Sequence, residues 1–160
     1  MKLTALIRLV IAFGASFSAA LIGSLFTGRE ALDSWYANLN KPFFNPPGWV
    51  FGPVWTTLYA LMAVSAFLVW QKGLDTRAVR IALAFFVLQL ILNALWTPLF
   101  FGAKMPLAAF IEILLLWAAI LLTILTFAHV SRLAALLLVP YITWVSFAAL
   151  LNASIWLLNR

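Results

Sequence analysis

The stretch WYANLNKPFFNPPGWVFGPVW, Trp35 to Trp55, joins two long apolar segments. It carries four prolines (Pro42, Pro46, Pro47, Pro53), a set of aromatic rings and one lysine, Lys41. Proline fixes φ and withholds a backbone donor, so such a connection is stiff and ordered. Rings held on it present flat apolar faces with polar edges. The stretch reads as a lid over a site for a flat, apolar ligand.

Outward from the lid the chain is apolar. It has 160 residues, 66% hydrophobic and 9% charged, with a mean hydropathy of +1.11. Too little polar surface remains to cover a soluble globule, which places the chain in a bilayer. Five segments of about the 20 residues needed to cross hydrocarbon can be counted, at about residues 5–26, 48–70, 78–101, 106–128 and 132–157. The expectation is one all-α domain over 1–160, a bundle of five transmembrane helices with a long ordered lid loop at about 27–47. The opening MKLTALIRLVIAFGASFSAALIG resembles a signal peptide, but Arg8 interrupts it and the apolar run continues to Phe26. It reads as a retained first helix.

The net charge of +6 does not mark a nucleic-acid partner. The ten Lys and Arg are scattered near the ends of apolar runs, with no basic cluster alternating with exposed aromatics. Five spans put the termini on opposite sides. Lys2, Arg8, Lys72, Arg77, Arg80 and Arg132 collect on the N-terminal side, against Arg29, Lys41, Lys104 and Arg160 on the lid side. The positive-inside rule then predicts a cytoplasmic N-terminus and an outward lid. It does not say which membrane, inner or outer. With no cysteine, disulfides and thiolate chemistry are excluded.

Pro53 and Pro106 are expected in the first turns of their helices, while Pro98 and Pro140 are expected to kink theirs. Ala15, Ala19 and Gly23 form a small-xxx-small ridge suited to close packing within the bundle or to a homodimer contact. Polar residues inside spans are few: Gln89, Asn93, Glu112 and Asn152. Helix direction places Asn93, Glu112 and Asn152 in the bilayer half nearest the lid, with Trp55 and Tyr59. Gln89, Asn93, Trp96 and Phe100 share one helix face; so do Trp144, Ala148 and Asn152, and so do Trp55, Tyr59 and Met62. Three aromatic stripes with a few amides would line a largely apolar small-molecule cavity.

Other chemistries fit less well. His129 lies at the face opposite the lid, out of reach of a haem iron in that cavity. Glu112 has no second carboxylate for acid–base or metal work and is expected to pair with Lys104 or a loop amide, or to hold a proton. No Ser, His and Asp set can assemble a triad. No inverted repeat of the kind coupled transporters use is visible.

At these residues the chain resembles the TspO/MBR family, the translocator proteins, also called tryptophan-rich sensory proteins or peripheral-type benzodiazepine receptors. Residues 35–55 resemble the family's first loop and second-helix entry. NALWTPLFFG at 93–102 resembles its third helix, and VPYITWVSFAALLN at 139–152 its fifth. The resemblance implies a five-helix bundle, often a homodimer in membrane lipid, that is a receptor for porphyrins such as protoporphyrin IX, with a role in tetrapyrrole handling or stress signalling. Carried over by position, the pocket comprises Trp35, Tyr36, Trp55, Asn93, Trp96, Trp144, Ala148 and Asn152; Tyr59 joins it from the second-helix stripe. No cofactor is required. Two alternatives stay open: a transporter or efflux accessory for porphyrins or lipids, and light-dependent porphyrin degradation, for which Trp55 and Trp144 would be the reacting residues. The tail LLNASIWLLNR departs from the animal cholesterol motif at Ala153, Ser154 and Leu157, which implies a member of the bacterial type.

Overall fold

The structure, a computed structural model, describes residues 3–27 and 31–160. Lys2 and Arg29, counted in the charge asymmetry, lie outside the described residues. Among those residues the chain is all-helical. Five helical segments are long and apolar enough to cross a membrane: Leu3–Phe26, Gly48–Trp70, Arg77–Gly102, Pro106–Ala128 and Arg132–Leu158. In helices these are α1 (Leu3–Phe26), α2 (Gly48–Trp70), α3 (Arg77–Thr97), α4 (Pro106–Ala128), α5 (Arg132–Leu137) and α6 (Val139–Leu158).

Local chemistry sets the joints. Gly73, at φ +93°, makes the turn after α2, a conformation that costs glycine no side-chain clash. Pro98 lacks the N–H needed to continue α3, and the backbone widens into a π-helical turn over Pro98–Gly102, closed by Ala103 N–H donating to the Pro98 carbonyl at 2.7 Å. Pro106 opens α4 within its first two residues, where its missing donor is harmless. Ser131 caps α5, its side chain accepting from Ala134 N–H. The last span breaks at Leu138 and restarts with Pro140 in the first turn of α6, so this proline initiates a helix after a break. Pro53 lies inside α2.

Packing pairs α3 with α4, α1 with α2, and α4 with α6; α2 leans on α5. Small residues let α1 approach. Its buried residues are Ala12, Ser16 and Ala19, whereas Ala15 is exposed. Of the expected ridge, Ala19 faces the core and Gly23 stands beside Thr97, while Ala15 lies at the edge of that face. Gly102 completes the approach: a Cβ there would lie 3.0 Å from Phe26 Cδ1. The connection from α1 to α2 is not loop throughout, since Ala31–Tyr36 form a π-helical turn.

Candidate ligand-binding site

Asn93, 6% exposed, sits at the centre of the lid-side half. Tyr59 O–H donates to its Oδ1 at 2.7 Å, and its Nδ2 donates to the Tyr141 hydroxyl at 2.9 Å. Three helices, α2, α3 and α6, are joined through this one amide. Trp55 stacks on Tyr59, centroids 5.5 Å apart, and meets Tyr141 edge-on at 6.3 Å.

One turn nearer the lid, Trp96 Nε1 donates to Asn152 Oδ1 at 3.0 Å, and Asn152 Nδ2 donates to the Pro106 carbonyl at 2.8 Å. Trp96 also stacks on Phe100, centroids 5.0 Å apart at 17°. Phe100 is buried and carries the lid, with Trp35 edge-on at 5.6 Å and Tyr36 at 6.2 Å. The π-helical turn at Pro98–Gly102 aims Phe100 and Phe101 together at the lid; Phe101 lies 5.5 Å from Tyr36.

The lid is stiffened by its own polar groups. Tyr36 O–H donates to Asn45 Oδ1 at 3.1 Å. Lys41 Nζ donates to the carbonyls of Ala37 and Leu39 and stands 4.7 Å over the Tyr36 ring. Burial pushes the Tyr36 phenol above its ordinary pKa, and the bond to Asn45 offsets part of that.

Trp144 differs from the other stripe residues. Its ring packs against Phe51 at 5.8 Å and Phe147 at 5.3 Å, yet among the described residues its buried Nε1 has no hydrogen-bond partner. Trp144 also lines a groove of about 700 Å³ between α2 and α6, with Pro53, Thr57, Leu61, Pro140 and Thr143 among its walls. The groove exists because α2 packs on α5, below the break at Leu138, rather than along α6. Ala148, half-buried, packs against the main core.

The structure thus brings Trp55, Tyr59 and Asn93 together, and Trp96 with Asn152. Trp35 and Tyr36 join the second group through Phe100. Both amides are occupied by protein partners, and Trp144 is partnered by neither. Gln89, on the Asn93 face, reaches only Met62 Sδ, at 3.9 Å. Sequence reading missed Tyr141, which shares the buried face of α6 with Val145 and Asn152 and stands beside Pro140. It also missed Phe51 and Phe147, whose partner becomes visible only once α2 and α6 are side by side.

The model of the TspO/MBR family matches residues 9–157. This chain belongs to the TspO/MBR family. It is 44% identical to tryptophan-rich protein TspO of Archaeoglobus fulgidus over 96% of this chain and 98% of that one. It is 43% identical to the human translocator protein over 84% and 80%. Protein CrtK of Rhodobacter capsulatus is 37% identical over 92% and 89%. With five membrane-crossing helical segments and TspO/MBR membership, the chain is an integral, multi-pass membrane protein. The site combines aromatic rings, a buried indole N–H without a partner among the described residues, and a groove between α2 and α6.

Proposed function

We propose that this protein is a receptor for a flat tetrapyrrole of the protoporphyrin IX type, held between α2 and α6 under the lid. The observation that carries the reading is the unpartnered Nε1 of Trp144, on a ring that forms a wall of the α2–α6 groove. A buried donor without an acceptor is destabilising, and a ligand carbonyl, carboxylate or ring nitrogen satisfies it. Phe51 and Phe147 supply rings beside it. Stacking on them provides affinity, and the indole provides orientation. Asn93 and Asn152 act by holding the aromatic walls in place, since their amides are bonded within the bundle.

The test is quenching of tryptophan fluorescence by protoporphyrin IX in detergent or nanodiscs. Trp144→Phe keeps the ring and removes the donor; it is expected to weaken binding by about five- to tenfold, the worth of one buried hydrogen bond. Trp144→Ala removes both and weakens it further. Binding that is saturable but identical in all three proteins would place the ligand elsewhere.

A further inference from the structure

A second groove, of about 420 Å³, lies between the start of α4 and the end of α6 and shares no residue with the one at Trp144. Met105, Leu107, Ala108 and Ile111 line it on one side and Trp156 on the other. Trp156 stacks on Phe110, centroids 6.5 Å apart at 11°, which sets its indole beside α4. Met105, Leu107 and Ile111 are exposed apolar side chains. Because α4 opens at Pro106 and α6 ends at Leu158, the groove lies where the lid-side hydrocarbon gives way to headgroups.

Its polar end is rich in donors. Arg160 lines it, and Lys104 precedes Met105 in the turn before α4; both are exposed. Among the described residues neither cation has an ion pair or a hydrogen bond, Lys104 leaving the buried Glu112 unpaired, and the Trp156 indole N–H has no acceptor. Carbonyls at this end are already engaged: Pro106 accepts from Asn152 Nδ2, Ile155 from Asn159 Nδ2, and Trp156 from the Asn159 backbone N–H. No lining residue is acidic. An apolar trough on membrane-crossing helices that ends in two unpaired cations complements an amphiphile with an acyl chain and an anionic head. Asn159 lines the same groove, and its side-chain amide holds the lid backbone at Asn40.

We propose that the α4–α6 groove binds one anionic phospholipid of the surrounding bilayer, and that the bound lipid steadies the lid through Asn159. An acyl chain lies along Leu107, Ile111 and Trp156, the phosphate meets Arg160 and Lys104, and the indole N–H donates to an ester carbonyl. A zwitterionic lipid fills the trough as well but brings a cation of its own towards the two side chains, so it gains less there. This site stands apart from the tetrapyrrole reading and does not depend on it.

The experiment is quenching of tryptophan fluorescence by phosphatidylglycerol or phosphatidylcholine brominated on the acyl chain, diluted into nanodiscs of unbrominated phosphatidylcholine. Subtracting the signal of Trp156→Phe in each background isolates Trp156. At this tryptophan wild type is expected to prefer phosphatidylglycerol by about tenfold. Lys104→Ala and Arg160→Ala should each cut the preference by about three- to fivefold. Both should leave quenching by phosphatidylcholine unchanged, which also shows that the variants fold. Amide exchange over residues 38–45 should slow when phosphatidylglycerol is added, and should no longer respond in Asn159→Ala. Equal quenching by the two lipids in wild type, or a preference that survives removal of both cations together, overturns the site. Absence of Trp156 quenching by either lipid also overturns it and shows the groove covered by protein, a second copy or another partner. Lid exchange indifferent to phosphatidylglycerol overturns the link to the lid.

Discussion

Asn159 grips the backbone of Asn40 with both polar groups of its side chain. Its Oδ1 accepts from Asn40 N–H at 2.9 Å, and its Nδ2 donates to the Asn40 carbonyl at 2.9 Å. The amide thus pairs with the lid as a neighbouring strand would, joining residues 119 positions apart. A third bond, Asn159 Nδ2 to the Ile155 carbonyl, anchors the grip to the end of α6. Asn159→Ala is expected to loosen the lid without unfolding the bundle. Amide exchange over residues 38–45 should accelerate by about tenfold, the worth of one to two exposed hydrogen bonds. Ligand association and dissociation should both quicken, so affinity changes less than either rate. Unchanged exchange would show that the prolines and Phe100 hold the lid alone.

Removing the Asn93 amide should be costly. Asn93→Leu leaves the Tyr59 and Tyr141 hydroxyls buried without each other's bridge. A loss of about 1–3 kcal/mol is expected in denaturant unfolding in detergent. Tyr59→Phe and Tyr141→Phe should each lose less, with a coupling energy in the double mutant because the two bonds share one amide. Additive losses would mean that the chain does not act as a unit.

Tyr36 gives the lid a pH limit. Its phenol titrates above its ordinary 10.0, because burial disfavours the phenolate. A raised acid pKa in the folded state means the stabilisation is complete below pH 10 and declines as pH climbs from there through the folded value. Absorbance near 295 nm, wild type against Tyr36→Phe, should show this tyrosine ionising later than free tyrosine. Lid exchange measured against the base-catalysed intrinsic rate should rise only above pH 10 in wild type, and show no such step in Tyr36→Phe.

At Gly102 the constraint is space. A methyl at this position would stand 3.0 Å from Phe26 Cδ1, closer than carbon atoms pack. Gly102→Ala should destabilise by about 1 kcal/mol, and Phe26→Leu should relieve most of it in the double mutant. Failure of Phe26→Leu to rescue would trace the cost to the π-helical turn itself.

Much of the architecture could be read in the chain. Hydrocarbon thickness demands about 20 apolar residues per crossing, so five such runs gave five spans. Proline's missing donor marked Pro98 and Pro140 as points where helices change course, and the structure shows a π-helical turn at one and a restart after Leu138 at the other. The aromatic and amide residues that converge under the lid were visible as stripes, because helix periodicity alone puts i, i+4 and i+7 on one face. Periodicity says which face a residue occupies, but not what stands opposite. Only the assembled bundle decided that Asn93 bridges two tyrosines, that Asn152 takes Trp96 rather than Trp144, and that Glu112 takes no hydrogen-bond partner among the described residues. Only it decided that Asn159 reaches Asn40. A hydrogen bond needs two groups within about 3 Å, and distances of that order between helices follow from how the whole bundle packs, which no local spacing carries.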